Sequence, residues 1–200
     1  MKKILFAVIL FFTIWGNAMS AAAVQSYLTL GLTGGGDKLG SFSSSDGVTK
    51  DIQAGGNFYF GGGIIIKSGE DDKFETALGI GYFGDRVSAS NGNVAFTRFP
   101  LEAVGYYRIS EKVQLGGGLT YHLTPEYDCH LSGSSGCSLD VEFENALGFT
   151  FRGEYYISDS ALIGLNYTNI NYNVKSVNGY SASGSIDGNH LGLMLKLRFY

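Results

Sequence analysis

The chain has 200 residues, with 14 Lys plus Arg against 18 Asp plus Glu and a formal charge of −4. That balance excludes a protein built to grip nucleic acid, which needs a basic surface. Thirty glycines, two prolines, 13 tyrosines and 14 phenylalanines suit a continuous sheet with crowded positions on one face.

In chain order, Met1-Lys2-Lys3 is a short cationic start. An apolar run follows from Ile4 to Trp15, then the small residues Ala18, Ser20, Ala21, Ala22 and Ala23. This is the layout of a secretory signal peptide over residues 1–23. The run falls short of the ~20 apolar residues that a spanning helix needs. Residues 24–200 are expected to form one domain, with a charge of about −6 once Lys2 and Lys3 are gone.

Three short polar turns punctuate that domain, at 68–73, 110–112 and 158–160. Between them lie longer stretches rich in Gly, Ser, Asn and Asp, at 34–51, 85–93, 124–140 and 174–187. Short turns and long loops therefore alternate. Antiparallel up-and-down strands put all the turns at one end and all the loops at the other. The spacing predicts eight strands, at 25–34, 52–67, 74–85, 94–109, 112–123, 141–157, 161–173 and 188–200. Most exceed the 9–11 residues that cross a bilayer at a tilt.

Side-chain parity separates two faces. Phe74, Leu78, Ile80 and Tyr82 alternate with Glu75, Ala77, Gly79 and Gly81. Phe99, Leu101 and Tyr107 alternate with Arg98, Glu102 and Arg108. Val141, Phe143, Leu147, Phe149, Phe151 and Tyr155 alternate with Glu142, Glu144, Arg152 and Glu154. In the last strand Leu191, Leu193, Leu195, Leu197 and Phe199 alternate with Gly192, Met194, Lys196 and Arg198, and Tyr200 follows. Parity alone does not say which face is inward, since a secreted soluble sandwich or barrel would put the apolar face inside. The signal peptide, the loop asymmetry, the long strands and the terminal strand favour a lipid-facing apolar side, where a cation at the midplane would cost about 2–4 kcal/mol. The fold expected is all-β: an eight-stranded antiparallel up-and-down transmembrane β-barrel, both termini at the periplasmic end. Only a closed barrel satisfies all strand backbone groups in lipid.

The inward face then carries Lys67, Glu75, Arg98, Glu102, Arg108, Gln114, His122, Glu142, Glu144, Arg152, Glu154, Lys196 and Arg198. Buried charges must pair, and two clusters are expected. One, toward the periplasm, holds Lys67, Glu75, Arg108, Arg152, Glu154, Lys196 and Arg198. The other, toward the outside, holds Arg98, Glu102, His122, Glu142 and Glu144. Tyr106-Tyr107 and Tyr155-Tyr156, each running into a tight turn, are read as interfacial girdle residues. Cys129 and Cys137 are expected to form a disulfide in the third loop of an exported protein. A metal site using them with His130 is the sharper alternative but lacks a fourth ligand.

The signal peptide, alternating strands, charged interior and aromatic-ended last strand resemble the small OmpA-like and OmpX-like outer-membrane barrels. The likeness spans residues 24–200 and rests on architecture rather than a diagnostic motif. It implies an outer-membrane location and a last-strand signal (Leu193, Leu195, Leu197, Phe199, Tyr200) for the barrel-insertion machinery, with periplasmic chaperones as escorts. It also implies a non-catalytic role in envelope integrity or in contact with lipopolysaccharide, a host or another surface ligand through the loops. No cofactor is expected. A narrow channel is the alternative reading. A lipid-modifying enzyme is a further one, with His122, His130 and His190 as candidate bases but no Gly-x-Ser-x-Gly elbow to supply a nucleophile.

Overall fold

The computed structural model describes residues 24–43, 49–68, 73–89, 92–132 and 136–199. The expected signal peptide and Tyr200 lie outside these residues. Fourteen strands are described: β1 (Val24–Gly34), β2 (Lys38–Ser43), β3 (Thr49–Gln53), β4 (Asn57–Ser68), β5 (Phe74–Ala89), β6 (Gly92–Arg108), β7 (Val113–Leu131), β8 (Ser138–Phe143), β9 (Ala146–Ser158), β10 (Ala161–Asn169), β11 (Asn171–Val177), β12 (Tyr180–Ser181), β13 (Ser185–Asp187) and β14 (His190–Phe199).

Eight of them close a ring, in the order β1, β4, β5, β6, β7, β9, β10, β14 and back to β1, every pair antiparallel. Closure leaves this ring without an edge. The expected eight-stranded transmembrane barrel is the fold.

Strict alternation sets the faces. In β1 and β14 every second residue is buried, and the intervening leucines are exposed. Leu28, Leu30 and Leu32 stand opposite Leu197, Leu195 and Leu193 on the outer face. Phe60, Ile80, Leu101, Leu119, Phe149, Phe151 and Leu165 continue this apolar band around the ring. On the inner face small residues make room for large rings. A Cβ on Gly79 would stand 2.2 Å from the Tyr27 hydroxyl, one on Gly81 2.5 Å from the Tyr59 ring, and one on Gly116 2.6 Å from the Tyr106 ring.

The loop ends depart from expectation. Segment 124–140 is mostly strand, because β7 runs on to Leu131 and pairs with β8. Segment 85–93 is largely taken up by β5 and β6, which pair as far as Ala89 and Gly92. The predicted strand 141–157 is two strands, broken at Glu144-Asn145, and 161–173 breaks at Ile170. The break between β8 and β9 reverses parity, so Phe143 and Ala146 both point inward. β7 does the same at Thr124, whose φ is 43°: His122, Pro125, Tyr127 and Cys129 are all buried. The Asn145 side chain accepts the Thr124 N–H at 2.9 Å, tying the two irregularities together.

Beyond these breaks, at the loop end of the barrel, the strands enclose an apolar core of Ile52, Ala54, Val94, Phe96, Tyr127, Cys129, Phe143, Ala146, Ile170 and Tyr172. Ile52 and Ala54 come from the first loop. That loop's β2–β3 hairpin folds into the mouth and is pinned there. The Asp85 carboxylate accepts the Gln53 N–H at 3.1 Å. Asp37 exchanges backbone and side-chain hydrogen bonds with Asp187 at 2.7 and 2.8 Å.

Candidate functional site

The inward charges of the membrane-spanning region form one connected network. At the short-turn end Arg198 donates two hydrogen bonds to Glu75, at 3.0 and 2.8 Å, and Arg108 a third at 3.2 Å. Arg108 also donates to the Tyr156 oxygen at 2.8 Å, and the Tyr156 hydroxyl donates to Gln114 at 2.6 Å. Gln114 donates to Glu154 at 2.6 Å, and Glu154 pairs with Lys196. Lys196 and Tyr106 meet at 2.9 Å, and the Tyr106 hydroxyl donates to Glu154 at 3.0 Å. Arg152 then pairs with Glu102 and donates to Asn166 at 3.0 Å, while Tyr59 donates to Glu102 at 3.0 Å. Lys67, half-buried, stands opposite Glu75 in the β4–β5 register.

This arrangement places the expected residues and corrects three of them. Glu102 belongs with Arg152, not with an outer cluster: the cross-barrel approach of β6 and β9, invisible in one strand's parity, selects its partner. Glu142 and Glu144 are exposed rather than inside, because the break at Glu144-Asn145 turns Phe143 inward in their place. The outer ionic cluster therefore does not form.

Arg98 and His122 are buried as expected, but among rings. The Arg98 guanidinium carbon lies 4.4 Å from the Phe83 ring centroid, 5.0 Å from Phe96 and 5.9 Å from Tyr172. His122 Nδ1 meets the Tyr172 hydroxyl at 2.7 Å, and His190 Nδ1 meets the Gly188 carbonyl at 2.8 Å.

Tyr59, Tyr106, Tyr156 and Asn166 were not expected in the network. The Tyr pairs split as alternation requires: Tyr107 and Tyr155 face outward as girdle residues, while Tyr106 and Tyr156 turn inward. The signal was parity itself, since Tyr106 shares a face with Glu102, and Tyr156 with Glu154.

The β7–β8 pair at the loop end presents a second polar arrangement. Glu126 stands directly opposite Glu142, and Asp128 opposite Asp140. Burial and the carboxylates of Asp128, Glu142 and Asp140 hold Glu126 above the usual carboxylate range. Lys175, 2.8 Å away, holds Glu142 below it. A cleft of 520 Å³ between the strand breaks is lined by Thr124, Pro125, Glu126, Glu142, Glu144 and Lys175 among others. Asp128, His130 and Asp140 offer ligand atoms within 4.8 Å of one another, a spacing that a metal ion can span. His130 Nε2 meets Asp140 at 2.8 Å. Cys129 and Cys137 are joined by a disulfide, Cα to Cα 5.7 Å, behind this face. His130 and the cysteines thus serve different contacts.

No protein-family model matches the chain, and no curated protein matches it. Among solved structures it is similar to Ail, the attachment invasion locus protein of Yersinia pestis, in complex with the heparin analogue sucrose octasulfate. The TM-score is 0.55 at 13% identity, over 89% of this chain and 99% of that one. Neisserial surface protein A matches at 0.44 and 14% identity, over 90% and 100% of the two chains. Outer membrane protein AlkL matches at 0.44 and 14%, over 88% and 90%. The first match agrees with the observed fold; the other two are too distant to bear on it.

Proposed function

We propose that this chain is an outer-membrane surface protein with a closed, non-conducting and non-catalytic barrel, acting through its extracellular end. Residues 1–23 direct its export and are removed. Strand β14, through Leu193, Leu195, Leu197 and Phe199, is read by the barrel-insertion machinery after periplasmic chaperones deliver the chain. The lipid band and the fold shared with an outer-membrane attachment protein support this location.

One observation carries the closed-interior reading. Buried pairs cross the lumen from Glu75–Arg198 to Glu102–Arg152, and the β2–β3 hairpin fills the outer mouth. An eight-stranded barrel has an interior that side chains just fill, so a continuous aqueous path has no room. The contact surface is the outer end. Lys38, Lys50 and Lys175 are each held by an acid of this chain (Asp51, Asp85 and Glu142). With Glu142 held by Lys175, Glu126 and the opposed pair Asp128/Asp140 dominate what the β7–β8 face presents. That chemistry suits a cationic partner, or lipopolysaccharide phosphates bridged by divalent cations.

Planar-bilayer recording of refolded protein tests the closed interior, after a cold-versus-boiled gel shift shows that the barrel has folded. A silent bilayer is expected. Stepwise conductance would replace this reading with a narrow channel.

A further inference from the structure

Asp128 and His130 stand two apart on β7, so both project from the face opposite the buried Tyr127 and Cys129. Across the ladder, β8 sets Asp140 directly against Asp128. Each of the three side chains offers one ligand atom within 4.8 Å of the other two. Ligand atoms about 2.0–2.2 Å from one ion stand up to ~4.4 Å apart, so closing on an ion needs only small side-chain rotations.

Two observations set this group apart from a solvated acidic patch. The first is the Asp140 Oδ1 atom. It is shut off from solvent and accepts no hydrogen bond, although His130 Nε2 lies 2.8 Å away. The two atoms are close without a hydrogen bond joining them, as ligand atoms around a shared ion are. The second is the opposition of Asp128 and Asp140. Like charges directly across an antiparallel pair are destabilising, and Lys175 of the neighbouring β11 is taken by Glu142 at 2.8 Å. The backbone beneath is fixed from both sides. The Asn178 side chain accepts the Asp140 N–H at 2.8 Å, and the Asp140 carbonyl accepts the Asn178 N–H at 2.8 Å. The Cys129–Cys137 bridge closes β7 onto β8 next to His130.

We propose that Asp128, His130 and Asp140 form a surface site for a divalent first-row transition ion of the zinc kind, with solvent completing its coordination. One imidazole nitrogen with two carboxylates selects against calcium and magnesium, which take oxygen ligands. Three protein ligands leave a position open to solvent. The ion offsets the opposed carboxylates and joins the two strands of the tip. The site holds whether or not the barrel conducts, and it needs no surface partner.

The test is a calorimetric zinc titration of tag-free mature protein, refolded in non-ionic detergent and stripped with chelator. His122 and His190 are buried, at 1% and 2% exposure, so His130 is the accessible imidazole of the chain's three. One zinc per chain is expected, and calcium in about tenfold excess should not displace it. His130→Ala, Asp128→Asn and Asp140→Asn should each weaken zinc at least tenfold, since loss of an outer-shell partner alone costs about 10–100-fold. No saturable binding by wild type, displacement by calcium, or Asp variants that bind as wild type does overturns the proposal. The cold-versus-boiled gel shift shows that each variant has folded. If one has not, zinc-edge anomalous diffraction from wild-type crystals decides. A peak about 2.0–2.2 Å from His130 Nε2 and from both carboxylates supports the site; its absence refutes it.

Discussion

Glu102 and Arg152 illustrate how single residues hold this interior. Both are nearly fully buried, and Glu102 also receives the Tyr59 hydroxyl while Arg152 reaches Asn166. Removing one partner of such a pair leaves an uncompensated charge, which costs about 3–5 kcal/mol. Glu102→Gln or Arg152→Met should each lower unfolding stability in lipid by about that amount. The double replacement Glu102→Leu with Arg152→Met should recover much of the loss, as urea titration would show. Glu126 behaves in the opposite sense. Its folded-state affinity for a proton is raised, so its contribution is present below the unfolded carboxylate range and is lost as pH rises through the folded value. Glu126→Gln should therefore match wild type in acid and become the more stable protein toward neutral pH. Unfolding midpoints measured across that range check the sign. Interior Glu75, Arg108, Glu154, Lys196 and Arg198 were legible from parity and charge alone. Their partners Tyr106 and Tyr156 carried the same parity but were read with Tyr107 and Tyr155 as girdle residues, because a Tyr pair at a strand end suits an interface as well as a lumen.

Among the elements, β14 was the easiest to read and β7 the hardest. β14 alternates without a break from His190 to Phe199, so one face is leucine from Leu191 to Leu197 and ends on Phe199. Leu195→Arg would put a cation on the lipid side and should cost about 2–4 kcal/mol if it lies near the midplane, read as reduced folding yield in liposomes. β7 keeps pairing beyond its membrane-spanning part but flips its faces at Thr124, and β8–β9 flips at Glu144-Asn145 in step with it. One extra residue in a strand sends every later side chain to the other face. That is why Glu142 and Glu144, assigned inward by continuing the parity of β9, are outside. Pro125 within a long strand was the local sign of irregularity. The Cys129–Cys137 bridge steadies the outer part of this hairpin. By chain-entropy reasoning its loss costs about 2–3 kcal/mol. Cys129→Ser with Cys137→Ser should make the β7–β8 tip protease-sensitive while the gel shift of the barrel stays.

At the scale of the molecule, two unlike interiors are stacked. The lower is ionic and hydrogen-bonded within the membrane span; the upper is aromatic and aliphatic, closed by the first loop. The amino-acid sequence by itself determined the class, the strand number, the lipid-facing band and most inward charges. Alternation has a period of two and separates the faces; the signal-peptide layout and the alternation of short turns with long loops, rather than the period, said which of them meets lipid. Tertiary structure decided the rest: which acid meets which base, that Arg98 packs among rings, and that the first loop turns inward rather than outward. Those outcomes depend on strands far apart in the chain meeting across the lumen, as Glu75 meets Arg198 at a separation of 123 residues. They also depend on bulges that reset parity. A strand's own pattern records which side a residue faces, and not what stands opposite it across a closed ring.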